Sequence, residues 1–203
     1  MALKAFTRRD QLMAAALEEF AVMDFEGASL NTIIKSAGIS KGVFYYHFEN
    51  KEALYLALLD EANRQKWAFI RDKAALDSEG YQSLDLFERF LYQAKLGMAF
   101  ANSHPKYHQL SMQLLKEKGN PIYDTALRHV GTDGSTELSA MISEAIARGE
   151  LRSDFNEVFV TKLLTHLFQS FYDIFDVDTT EDAQKLLEHY VTFMRFGLTA
   201  EHQ

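Results

Sequence analysis

Apolar residues recur at intervals of three and four along nearly the whole chain, and no segment alternates apolar with polar. Side chains three and four apart share one face of an α-helix, so this period predicts an all-α fold. With only 2 prolines in 203 residues, little interrupts the helices. In TRRDQLMAAALEEFAVM, residues Leu12, Met13, Ala16, Leu17 and Phe20 form one stripe. Thr7 is placed to cap this helix, and Asp24 is expected to close it in a left-handed turn. Ser29 and Gly38 bracket a short helix over 30–37, and Ser40 opens another over 41–47. Longer helices are expected over 51–75 and 83–101, then from Pro105 to Gly119. A further helical region runs from Pro121 to Arg148, with a break within 131–135. Two last helices cover 156–175 and 180–198.

A chain that is 47% hydrophobic and 203 residues long has material for a substantial core. It has no cysteine, which excludes disulfide frameworks and thiolate metal sites and points to a reducing, cytoplasmic setting. The N-terminal residues lack the apolar run of a signal peptide, and no stretch has membrane-spanning character. The net charge of −8 is unevenly spread. Residues 1–51 carry six basic and six acidic groups, so all of the excess acidity lies downstream. An acidic body repels a polyanion, and contact with DNA therefore has to come from the N-terminal end.

That end contains GISKGVFYYHFENKEAL, residues 38–54, which mixes glycines, cations and aromatics. On a helix starting at Lys41, Phe44 and Phe48 lie four apart on one face and suit a core. Lys41, Val43, Tyr46 and His47 point away from it, with Tyr45 at the margin. Gly42 puts no side chain between the helix and a large surface. Tyrosine hydroxyls, a histidine, Lys51 and helix N-terminal N–H groups are phosphate donors. Lys41, Val43 and Asn31 are placed to reach base edges, Val43 by contact with a thymine methyl.

SLNTIIKSAGISKGVFYYHFENKEAL resembles the helix-turn-helix of the tetracycline-repressor (TetR) family of bacterial transcription regulators, and LMAAALEEF resembles the helix that precedes it. The likeness spans roughly residues 7–55. It implies a three-helix DNA-binding domain over 1–50 and a helical ligand-binding and dimerisation domain over 51–203. Ser29, Asn31, Lys41, Gly42, Val43 and Tyr46 match DNA-facing positions, and Tyr45, His47 and Lys51 match positions that hold phosphates. Asp24, Ala28 and Val43 depart from the family's usual glycine, threonine and threonine.

Downstream, two terminal helices are more apolar than one buried stripe requires. Leu164, Phe168, Phe171, Phe175, Leu187, Tyr190 and Met194 are the expected faces of a homodimer. Phe87, Phe90, Phe100, Tyr107, Met112 and Phe168 are the expected wall of a site for a small apolar or aromatic ligand. His104 and His108 stand four apart but lack a third metal ligand, and no catalytic constellation or cofactor motif is present. The whole pattern indicates a ligand-responsive regulator, most often a repressor in this family, with double-stranded operator DNA and its own second copy as partners. The alternatives are a helical interaction protein without DNA binding and a helical metal-dependent enzyme.

Overall fold

The computed structural model describes residues 7–76, 78–130, 132–152, 154–175 and 180–198. No β-strand occurs among them, and none of their helices is long and apolar enough to cross a membrane. The chain divides into two compact units, residues 1–68 with 100–131, and residues 69–99 with 132–203. The packing therefore does not part at residue 50.

The first unit begins with α1 (Arg8–Phe20), α2 (Leu30–Ser36) and α3 (Lys41–His47). Each has a local reason to start where it does. Thr7 and Asp10 form a reciprocal capping box, and the Ser29 and Ser40 hydroxyls accept from the N–H groups of Thr32 and Val43, both at 3.3 Å. Gly38, with φ of +65°, makes the turn between α2 and α3 that a side chain would strain. Asp24 does not adopt the left-handed conformation expected of it, since no non-glycine residue among those described has positive φ. The α1 helix stops at Phe20, and the Asp24 carboxylate instead closes the following turn by accepting from the Gly27 N–H at 2.6 Å.

Next come α4 (Lys51–Leu76), α5 (Ser78–Ser83) and α6 (Leu86–Ser103); the chain passes between the units within α4 and again within α6. The α5 helix was not expected, and it takes the first residue of the helix predicted over 83–101. Then α7 (Pro105–Lys116) and α8 (Pro121–Val130) complete the first unit. Its core joins Leu12, Phe20, Ile33 and Phe44 to Leu54, Tyr55 and Leu58 of α4, and to Leu110 and Ile122 of α7 and α8. The helix-turn-helix thus shares one apolar core with helices far along the chain.

The second unit contains α5, α9 (Thr132–Ala147), α10 (Glu157–Gln169), α11 (Phe171–Ile174) and α12 (Thr180–Leu198), with parts of α4 and α6. Of the break expected within 131–135, residue 131 lies outside the described residues and 132–135 form the start of α9, with α8 ending at Val130. The helix expected over 156–175 is divided at Ser170. Leu164, Phe171, Tyr190 and Met194 are buried with Ile142, Val160 and Val191, and the Tyr190 hydroxyl donates to the Leu167 carbonyl at 3.1 Å. Arg89 is buried here, donating to Glu144 at 2.7 Å and to the Gln82 carbonyl at 2.9 Å.

Phe20 is fully buried and packs its ring 4.8 Å from that of Tyr55, tying α1 to α4. Phe20→Ala is expected to lower stability by about 3–5 kcal/mol, read from denaturant unfolding of the full chain.

Candidate nucleic-acid interface

The α3 helix has an inner and an outer side. Phe44 is fully buried and Phe48 nearly so, their rings 6.2 Å apart, with the Arg9 guanidinium 5.6 Å from the Phe48 ring centre. Lys41, Gly42, Tyr45 and Tyr46 are exposed, as is Asn31 on α2. Tyr46 is 84% exposed, an unusual position for a large aromatic with no apolar neighbour to cover it. The Tyr46 and His47 rings meet edge to face at 5.0 Å, and Tyr45 meets Phe44 in the same way at 5.0 Å. Val43, His47 and Ser29 are half-buried. Ser29 is engaged twice, its N–H donating to Glu19 at 2.9 Å and its hydroxyl oxygen capping α2. The outer side therefore presents one ammonium, two phenol hydroxyls and an imidazole on a short helix whose capped N-terminus is exposed, with the Asn31 amide exposed on α2.

Gly42 has no reason within the fold to be glycine. Its φ is not positive, and a Cβ there would meet only the Ser40 Oγ, at an unstrained 3.8 Å. Glycine inside a helix is less stable than alanine by about 0.5–1 kcal/mol, so the sequence forgoes stability here for access to the helix backbone.

Lys51 lies elsewhere than the sequence suggests. Its Nζ donates to the carbonyls of Phe25 at 2.6 Å, Glu26 at 3.2 Å and Ala28 at 3.1 Å. An ammonium has three donors, and all three are used within the protein. The lysine at the positive end of α4 is offset by backbone carbonyls of the α1–α2 turn, where a phosphate was expected. Two residues that sequence reasoning missed hold the same turn: Glu117 accepts from the Phe25 N–H, and Gln113 donates to the Val22 carbonyl at 2.8 Å. Neither lies in a motif, so no local signal marks them.

The other expected sites divide between the units. Phe100 and Tyr107 belong to the first, where the Phe100 ring stacks on His104 at 4.3 Å and on Tyr107 at 6.1 Å; burial raises the pKa of the Tyr107 phenol. Met112 is half-buried in the same unit. Phe87 and Phe90 belong to the second, Phe87 in its core and Phe90 packed against it. The Phe168 side chain lies outside the described residues. His104 Nδ1 is 2.9 Å from the Ser103 hydroxyl and 3.2 Å from the Phe100 carbonyl, and no group of three metal-binding side chains occurs among the described residues.

The dimer face expected from Leu164, Phe171, Tyr190 and Met194 is instead the second unit's own core, with Phe175 and Leu187 packed against it. Among the apolar side chains left outside are Val158 and Phe159 of α10, Ile174 of α11, and Phe193 and Phe196 of α12, the last two 74% and 82% exposed.

Gly42→Ala is expected to raise the stability of the free protein by about 0.5–1 kcal/mol in denaturant unfolding, since the new methyl meets no obstruction.

The family model described as bacterial regulatory proteins, tetR family, matches residues 12–58, which span α1 to the first part of α4. The HTH-type transcriptional regulator UidR of Escherichia coli (strain K12) is 26% identical over 168 residues, covering 82% of this chain and 81% of that protein. The HTH-type transcriptional activator FasR of Mycolicibacterium smegmatis is 46% identical over 52 residues, covering 26% of this chain and 24% of that protein. Among solved structures, the fatty acid degradation regulator FadR from Bacillus halodurans superposes with a TM-score of 0.70 at 17% identity, covering 99% of this chain and 100% of that one. The two-sided α3 helix stands within the matched segment, and the helical architecture downstream is shared from end to end. The chain belongs to the TetR family and is a DNA-binding transcriptional regulator.

Proposed function

We propose that this regulator acts in the cytoplasm as a homodimeric repressor that leaves its operator when a small, mostly apolar or aromatic ligand binds the helical body. The observation that carries the DNA half of this reading is the outer side of α3, above all an unobstructed Gly42 beside an exposed Lys41. Lys41 and Val43, with Asn31 of α2, read base edges, while Tyr45, Tyr46, His47 and Ser29 hold phosphates or the groove wall. Lys51 takes no phosphate, because its donors are spent.

Dimerisation is supported by the exposed Phe193 and Phe196, which three-residue spacing places on one side of α12. A two-fold dimer presents two α3 helices to half-sites about 34–36 Å apart. Ligand binding is supported by the aromatic residues of the body and by the guanidinium of Arg89. Its buried Nε is the one buried side-chain nitrogen among those described that lacks a hydrogen-bond partner. Glu144 already balances the charge of Arg89, so a neutral acceptor oxygen on an otherwise apolar ligand suits that nitrogen.

The test is a gel shift with a duplex selected by the protein from a random-sequence pool, paired with expression of the adjacent gene in cells lacking the regulator. A rise in expression is the repressor outcome; a fall makes the protein an activator. His47→Ala is expected to weaken binding to all sequences alike. Lys41→Ala is expected to relax discrimination at one base pair, by about 1–3 kcal/mol if it reads guanine. Gly42→Ala, although more stable, is expected to bind the duplex more weakly. Phe193→Glu with Phe196→Glu is expected to give a sedimenting species near 23.2 kDa in place of twice that mass, with loss of palindrome binding.

A further inference from the structure

The turn between α1 and α2 is held from two outside directions that meet at one residue. From α7, Gln113 donates to the Val22 carbonyl, and just past the helix end Glu117 accepts from the Phe25 N–H. From the first position of α4, Lys51 donates to the Phe25 carbonyl and to two more carbonyls of the same turn. Phe25 therefore has a carboxylate on its N–H and an ammonium on its C=O. Its ring is engaged as well, with the Lys51 Nζ 4.6 Å from its centre and the Tyr55 ring 5.2 Å away. A second contact from α7 to α1 is the ion pair of Lys106 with Glu18.

Glu117 is unusual for a carboxylate in being only 7% exposed. A buried carboxylate is costly unless hydrogen bonds satisfy it. Here one oxygen accepts from Phe25 and the other from the Asn120 side chain at 3.0 Å. Its charge is felt nearby: burial, and then Glu117, hold the Tyr55 phenol protonated far above its ordinary range. An apolar side chain would fill this space without the penalty, so the position uses what only an acceptor supplies, a fixed link to the Phe25 amide.

We propose that Glu117 and Lys51 are positioning residues for operator binding, which grip the α1–α2 turn through the two sides of Phe25 and set how α3 meets DNA without touching it. The inference rests on DNA binding by α3, and it is independent of the ligand. It replaces a phosphate contact at Lys51 with a mechanical one. It also makes α7, as well as α4, a carrier of shape change to the helix-turn-helix.

The two roles separate by salt. A lysine that neutralises a phosphate releases a counterion, and its loss flattens the log–log salt dependence of binding by about one unit. A positioning lysine weakens binding at every salt concentration and leaves the slope unchanged. The experiment measures the affinity of the full chain for a duplex selected by the wild-type protein from a random-sequence pool, across salt, for Lys51→Met, Glu117→Gln, Glu117→Ala and the Lys51→Met/Glu117→Ala double variant. Thermal unfolding fixes a temperature at which each is folded. Met keeps the lysine's stem without its donors, and Gln keeps an acceptor for the Phe25 N–H; both remain informative should Glu117→Ala not fold.

The expected result for Lys51→Met is a loss of about tenfold with an unchanged slope. Glu117→Gln should retain most of the wild-type affinity, and Glu117→Ala should not. The double variant should lose less than the two single losses combined, because both act on one turn. A slope reduced by about one unit in Lys51→Met overturns the proposal and restores the phosphate contact. Independent, additive losses overturn the shared joint. Failure of the wild type to select any duplex would instead overturn DNA binding by α3, and His47→Ala, which lies on the outer side of α3 away from the joint, reports that case separately.

Discussion

A seven-residue helix does not hold its shape alone in water, so everything α3 does depends on the burial of Phe44. That ring is fully enclosed by the core that α1 and α2 share with α4, α7 and α8. The Ser40 cap and the Gly38 turn decide where α3 begins; Phe44 and Phe48 decide which way it faces. The orientation of the outer side, on which a regulator's affinity depends, is therefore inherited from a core assembled largely outside the motif. Anything that shifts α7 or the start of α4 shifts the ground on which α3 stands.

The parts of this arrangement legible in the sequence are those whose partners lie within a few residues. Thr7 with Asp10, Ser29 with Thr32, and Ser40 with Val43 are all three apart, and each marks a helix start. The inner and outer sides of α3 follow from the four-residue spacing of Phe44 and Phe48. Asp24 shows the limit even at short range: a turn aspartate either takes positive φ or caps through its side chain, and composition does not choose between them. Lys51 and Glu117 were beyond reach for a different reason. Their partners lie 23 to 26 and 92 residues away, and nothing in a helical pattern encodes such a meeting.

The second unit shows the same limit for faces. The sequence of α10 and α12 reveals more apolar surface than one packing stripe consumes, and that excess is present in the structure. It does not reveal which stripe turns inward. Leu164, Tyr190 and Met194 are the most evident members of the pattern, and they are spent on the unit's own core. Phe193 and Phe196 lie beside them in sequence and remain outside. A helix with two apolar stripes has two self-consistent rotations, and only the neighbouring helices select one.

Charge constrains how such a module recognises DNA. Its first 51 residues are neutral overall, the rest carries the net −8, and the half-buried Lys51 donates to three carbonyls. Of the nearby cations, Arg9 lies against the Phe48 ring and Arg8 donates to Gln11. Arg8, Arg9, Lys35 and Lys41 are nonetheless exposed, so on the proposed reading charge supplies part of the affinity. What remains is fit: phenol and imidazole donors, helix N–H groups, and a backbone brought close to the groove at Gly42. Close fit is sensitive to small rotations of α3 in a way that diffuse charge attraction is not. A regulator whose binding must be switched off by a change of shape gains from this. On the proposed reading, a displacement of the α1–α2 turn that rotates α3 lowers this fit and favours release of the operator.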